Sequence, residues 1–199
     1  LDKRMFSYLQ KKFANHKNLT LVAGDIFKVN LHDYVQDNTY KLVANLPYSS
    51  TSLFFRNFLS LSPRPRSMTV MIQREVAKRV TAKPGSMSIL SVSAQYYSRI
   101  EYVFDVLRKE FYPTPNVDSA VVQAVVQPRP GTEEEKKFMR VVKAGFSSRR
   151  KQLHNALASG LHLSAEETEK LLLSGGVGAS QRAQDLTVEN WLKLAQNLN

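Results

Sequence analysis

The stretch Val43-Ala44-Asn45-Leu46-Pro47-Tyr48-Ser49-Ser50-Thr51 begins as a buried strand and breaks at a proline. In open α/β sheets, ligands bind in the crevice outside the carboxyl ends of the strands. The residues just past Ala44 therefore stand where a ligand would lie. They place an amide, a proline-flanked main chain and a tyrosine ring side by side. That set suits a nucleobase amino group, whose lone pair is delocalised into the ring and is a poor nucleophile. The Asn45 side-chain carbonyl and a main-chain carbonyl near Leu46-Pro47 can each accept one N–H. Holding both hydrogens out of the ring plane frees the lone pair, and Tyr48 can stack on a flipped base. The plainer alternative is a turn that merely uses Pro47.

Working outward, Leu19–Ala23 reads as a strand ending at Gly24-Asp25, and Lys41–Ala44 as a second. Ser52–Leu59 reads as a helix, with Leu53, Phe54, Phe58 and Leu61 near one face, stopped by the prolines of 62–66. Met68–Ile72 is a third strand, Arg74–Val80 a short helix, and Ile89–Tyr97 a helix in which serines interrupt the apolar spacing. Tyr102–Phe104 is a strand. Phe111–Pro115 is a loop, because its prolines cannot donate to a ladder. Ala120–Val126 is a strongly apolar strand. Strands separated by helices imply an α/β sheet with mostly parallel pairing. The last two strands lie close in sequence, which implies an antiparallel hairpin at one edge.

Gln127–Thr132 is the clearest boundary. Beyond it the pattern is helical. Thr132 can cap a helix whose first turn is acidic and whose apolar face is Phe138, Val141, Val142 and Phe146. Ser164 and Thr187 offer two more capped starts, the last leading into Trp191, Leu192 and Ala195. The expected division is an α/β domain over 1–128 and a small helical domain over 132–199.

The chain has 199 residues, no cysteine and a formal net charge of +11. Disulfides, thiolate catalysis and cysteine-based zinc sites are excluded for these residues. The charge favours a polyanionic partner. It is concentrated in residues 1–131, with 18 Lys+Arg against 9 Asp+Glu; residues 132–199 hold 10 against 8. No apolar run reaches the length of a membrane helix, and the first residues do not read as a signal peptide. The four histidines are scattered without metal spacing. Ser49–Ser52 lacks the surroundings of a nucleophilic serine and reads as a cap for the following helix.

Asn45-Leu46-Pro47-Tyr48 after a strand resembles the acceptor motif of adenine-amino methyltransferases that use S-adenosylmethionine. Three further stretches, in the same order, are similar to segments of the ribosomal RNA adenine dimethyltransferase family: Gln73–Arg79, Phe111–Val121 and Phe146–Leu157. Arg182–Leu192 resembles that family's closing helix. The resemblance covers nearly the whole chain, and the arginine-rich 146–157 segment leans towards the small-subunit enzyme rather than the antibiotic-resistance branch.

The resemblance implies a Rossmann-like methyltransferase sheet with a small all-α C-terminal domain that shapes an RNA cleft. It implies dimethylation of two adjacent adenines of small-subunit ribosomal RNA, in ribosome biogenesis, with S-adenosylmethionine as donor and no metal. Asn45 would bind the target amino group and border the donor; Tyr48 would stack on the adenine and Phe111 close on its other face. Asp25 would accept a hydrogen bond from the donor's adenine, with Ile26 packed beside that ring. Arg74, Lys78 and Arg79, on one helix, would meet phosphates, although they read equally as a solvated face; Arg149, Arg150 and Lys151, otherwise a solvated helix end, are in so basic a chain better read as backbone contacts. Asp25 also reads as a plain strand-to-helix connector, and Phe111 as core. The expected partner is the small ribosomal subunit, the location cytoplasmic, the state monomeric.

The family's glycine-rich donor loop and its ribose-binding acid are not in this sequence; Leu1-Asp2 looks like the pair that follows that acid. The expectation is therefore of an N-terminally truncated catalytic domain with half a donor site, poor donor binding and low activity. The competing readings are an RNA-binding assembly factor or a transcription factor of the same fold without catalysis, and a DNA amino-methyltransferase. Donor binding separates the first two from the enzyme.

Overall fold

The computed structural model describes residues 1–199 except Leu1, Asn38, Pro128, Pro130, Gly131, 149–151, Ala179, Asn199 and the side chain of Thr132. The expected boundary at Gln127–Thr132 and the Thr132 cap thus lie largely outside the described residues. The elements are α1 (Lys3–Lys12), β1 (Lys41–Asn45), α2 (Thr51–Ser60), β2 (Ser67–Gln73), α3 (Arg74–Val80), α4 (Ile89–Tyr97), β3 (Ser98–Val106), β4 (Ser119–Val126), α5 (Thr132–Gly145), α6 (Leu153–Leu161), α7 (Ala165–Ser174) and α8 (Val188–Gln196).

The strands form one sheet in the order β1-β2-β4-β3. Only β1–β2 is parallel; β4 runs antiparallel to both β2 and β3. The expectation of mostly parallel pairing is corrected on the described residues. The last strand enters between its predecessors, so the hairpin at the edge also reverses the pairing with β2. One sheet face is apolar and covered. Met68, Val70, Ile72, Ala120, Val122 and Ala124 are all buried there, as period-2 alternation requires. On the other face Val43, Val103 and Val125 stay exposed.

Leu19–Ala23 is not a strand; it is irregular, and Leu19 and Val22 are exposed. A strand needs a neighbour to pair its backbone groups, and among the described residues no strand lies beside it. In α2 the core stripe is Phe54, Phe55, Phe58 and Leu59, whereas Leu53 and Leu61 point to solvent. The i, i+1, i+4, i+5 spacing won over the face drawn through Leu53. The serines of α4 do not weaken it. Ser88 and Ser91 form a capping box, and Ser91 is fully buried, satisfying N-terminal donors that the helix itself leaves open.

The helical part packs α5 against α4, α6 and α8. Phe138, Val141, Val142 and Trp191 are fully buried, and the apolar core runs unbroken from the sheet to them. Ser164 with Glu167 and Thr187 with Asn190 form the capping boxes of α7 and α8. The loop before α4 is tied to the 183–185 turn. The Gly85 and Met87 N–H groups donate to the Gln184 carbonyl (2.8 and 3.2 Å), and the Gln184 amide donates back to the Gly85 carbonyl (3.1 Å).

Candidate active site

β1, β2 and β3 run in one direction, so Asn45, Gln73 and Val106 finish at the same end of the sheet. Ser119, the first residue of β4, pairs with both Gln73 and Val106. The acceptor motif, the start of α3, the Arg108–Glu110 turn and the Phe111 loop therefore converge at that end.

Within the motif, Leu46 N–H donates to the Met71 carbonyl (3.2 Å), and the Leu46 side chain is buried at 7% exposure. This pins the chain one residue past the strand while Asn45 stays exposed. Pro47, with φ −58°, opens a 3-10 turn over Tyr48–Ser50. The Pro47 carbonyl is taken by the Ser50 N–H (3.1 Å) and hydroxyl (3.0 Å). Among the described residues no donor reaches the Leu46 carbonyl or the Asn45 side chain. The serines do not cap α2: Ser50 and Thr51 donate to the Pro47 and Tyr48 carbonyls instead. They stiffen the turn rather than cap the helix.

Tyr48 is half-buried, and its hydroxyl lies 2.9 Å from the Ser119 hydroxyl. Phe111 is half-buried and begins the loop, with its N–H on the Arg108 carbonyl (3.3 Å) and its carbonyl accepting from the Thr114 hydroxyl (3.3 Å). Arg74 pairs with Asp118 (3.0 Å) at the same end. Arg79 pairs with Glu75 (2.6 Å), and Lys78 is exposed on the same short helix. Arg149, Arg150 and Lys151 lie outside the described residues. Arg64 and Arg66 precede β2, where Arg66 N–H donates to the Tyr40 carbonyl, and so sit at the opposite end of the sheet.

Asp25 closes a local turn: its carboxylate accepts from Phe27 N–H (3.0 Å) and its carbonyl from Lys28 and Val29. Ile26 lines a small hollow with Asn57, Phe58 and Leu61 in the C-terminal half of α2. At 1.5 Å per residue that is about 10 Å along the helix from the end that carries the motif. Ile26 thus lies beside the C-terminal half of α2, whereas Asn45 precedes its N-terminal end.

A cleft of about 1470 Å³ is lined by residues of α2, α4 and α5. Arg56, Arg79, Lys136, Arg140 and Lys143 line it. Its acid, Glu135, accepts from the Tyr97 hydroxyl at 2.5 Å. Burial and that bond both push the Tyr97 phenol above its usual range. Arg56, Lys136, Arg140 and Lys143 are not among the residues expected from sequence; a signal is present in Lys136, Arg140 and Lys143, whose four-then-three spacing puts them on one face of α5. Among the described residues no group of histidines and carboxylates could hold a metal, and no helix is long and apolar enough to cross a membrane.

The family model described as ribosomal RNA adenine dimethylase matches residues 1–199. A relative from Dehalococcoides mccartyi strain CBDB1, named ribosomal RNA small subunit methyltransferase A, is 42% identical over 197 residues, covering 98% of this chain and 68% of the relative. A relative of the same name from Bacillus cytotoxicus is 35% identical over 210 residues, covering 100% of this chain and 72% of its own length. Among solved structures, the 23S rRNA methyltransferase ErmE superposes with a TM-score of 0.75 at 24% identity, over 98% of this chain and 78% of that one. A dimethyladenosine transferase from Plasmodium falciparum gives 0.78 at 21% identity, over 97% and 78%. These two likenesses establish the fold, an α/β Rossmann-like methyltransferase sheet. With the full-length family match and the sequence relatives, they lead to one conclusion: the chain belongs to the ribosomal RNA adenine dimethylase family.

Proposed function

We propose that this chain dimethylates the amino nitrogens of two adjacent adenines in small-subunit ribosomal RNA, as a cytoplasmic monomer acting in ribosome biogenesis. The observation that carries this is the acceptor turn. Asn45 is exposed at the strand end, the Leu46 carbonyl has no partner among the described residues, and the Pro47 carbonyl is already occupied. The two N–H groups of an adenine amine would donate to Asn45 Oδ1 and the Leu46 carbonyl. That draws both hydrogens to one side and turns the nitrogen lone pair to the other. Tyr48 would take one face of the base and Phe111 the other. The RNA backbone would lie in the basic cleft along α5, with Arg74, Lys78 and Arg79 and the Arg149, Arg150 and Lys151 run as further contacts.

S-adenosylmethionine, the donor implied by the family, supplies a methyl group already activated on sulfur. Asp25 would hold the donor's adenine and Ile26 pack beside it, although Ile26 lies along α2 away from the end that carries Asn45. That separation is also what favours a second reading, an RNA-binding assembly factor without catalysis. Both are tested by transfer of labelled methyl groups from S-adenosylmethionine to unmethylated small-subunit particles. Asn45→Ala is expected to lower the rate by about 10²-fold, the typical loss for one preorganised transition-state hydrogen-bonding group. Wild-type protein that binds the particle but transfers no methyl group would establish the assembly-factor reading instead.

A further inference from the structure

We propose that the dipeptide Asp118-Ser119 is the positioning element that sets the gap between Tyr48 and Phe111, and so the width of the slot for the base. This rests on the reading of Tyr48 and Phe111 as the two faces of that slot. Neither Asp118 nor Ser119 would touch substrate; they would act through the groups they hold.

Ser119 is 1% exposed at the start of β4. A buried hydroxyl is costly unless bonded, and this one bonds the Tyr48 hydroxyl rather than a neighbouring carbonyl. Tyr48 is thereby held at both ends. Its backbone sits in the Pro47–Ser50 turn, and its phenol oxygen is fixed from the sheet. A ring pinned at Cα and at its hydroxyl cannot change χ1, so its face keeps one orientation. Asp118 holds the other side. Its Oδ1 accepts from Arg108 N–H (2.9 Å), the first residue of the turn whose Arg108 carbonyl receives the Phe111 N–H. Its Oδ2 pairs with Arg74 Nη1 at 3.0 Å, and its own carbonyl accepts from Arg74 N–H, also at 3.0 Å. The first residue of a strand between two others, and the residue just before it, thus fix both aromatic arms. Strand residues in a sheet interior are among the least mobile backbone positions available, which is what a slot of constant width needs.

A merely structural role for Ser119 is separated from a positioning role by a double-mutant cycle. The readout is quenching of 2-aminopurine fluorescence when a single-stranded RNA carrying that base among adenines is titrated with the protein, for Ser119→Ala, Tyr48→Phe and the double variant. Each single variant is expected to weaken the stacked complex about fivefold, the equivalent of one hydrogen bond of about 1 kcal/mol. The double variant should be no weaker than either single one, and Ser119→Thr should restore binding. Asp118→Asn should reduce quenching without moving the Tyr48 signal in the 19F spectrum of 3-fluorotyrosine-labelled protein, whereas Ser119→Ala should move that signal alone. Effects of Ser119→Ala and Tyr48→Phe that multiply, or an unmoved Tyr48 signal in Ser119→Ala, would overturn the proposal. If RNA binds but neither Tyr48→Ala nor Phe111→Ala alters quenching, the slot reading itself fails, and this proposal with it.

Discussion

The ring of Tyr96, at the end of α4, stacks on that of Phe138 in α5 with centroids 4.0 Å apart and planes 20° from parallel. The Arg129 guanidinium lies over the same Tyr96 ring at 4.8 Å, and its Nε donates to the Tyr96 carbonyl. Sheet-side helix, connecting segment and helical part are thus clamped at one residue. Phe138→Ala should cost about 3–5 kcal/mol, the usual range for a fully buried aromatic. Denaturant unfolding would measure it, with amide exchange expected to rise at the α4–α5 contact.

Tyr97, next in the chain, is the acidic side of this clamp. Its folded pKa is raised, chiefly by burial and then by the Glu135 hydrogen bond. A group with a raised folded pKa contributes stability that is complete below its unfolded pKa and lost as pH rises above that value. Alkaline titration followed by tyrosine absorbance should show Tyr97 ionising only as the protein unfolds. Tyr97→Phe should remove one late-titrating phenol and flatten the alkaline loss of stability.

At Gly145 the space for a side chain is absent. A Cβ would sit 2.3 and 2.8 Å from two carbons of the Trp191 ring and 2.9 Å from Leu153. Gly145→Ala should therefore destabilise by about 1–3 kcal/mol, the cost of overpacking a tight core, despite alanine's better helix propensity. Thermal unfolding would show a lowered Tm with Trp191 fluorescence shifted.

For RNA binding, the cleft predicts a strong salt dependence. Alanine at Arg140 or Lys143 should weaken binding evenly across sequences and reduce the slope of log K against log salt by about 1 each.

Calorimetric titration with S-adenosylmethionine tests the roles proposed for Asp25 and Ile26. A weak Kd of about 1 mM, about 4 kcal/mol in affinity, is expected, so methyl transfer to the particle should keep rising up to millimolar donor. A micromolar Kd with Asp25→Ala much weakened would mean that Asp25 closes on the donor in the complex.

The elements that could be read without a structure are those whose signal is local. The break of β1 at Asn45-Leu46-Pro47-Tyr48, α3 between Arg74 and Val80, β4 over an unbroken apolar run and the capped starts of α7 and α8 all follow from propensity, periodicity or a cap within a few residues. What failed depended on neighbours. Leu19–Ala23 has strand-forming residues, but a strand exists only with a partner. Only Tyr102–Phe104 of β3 stands out in the sequence, because its exposed edge alternates polar residues and carries an irregularity between Tyr102 and Phe104, which breaks the period. The site divides the same way. The chemistry of Asn45 and Tyr48 is written in four adjacent letters. That Ser119 holds the Tyr48 hydroxyl, 71 residues apart in sequence, is not, nor is the meeting of Arg56 with Lys143 across a cleft. Residue type and spacing determine what a segment can form and what chemistry it can offer. Only the packing of distant segments decides which of those groups face one another, because that depends on contacts between residues far apart along the chain.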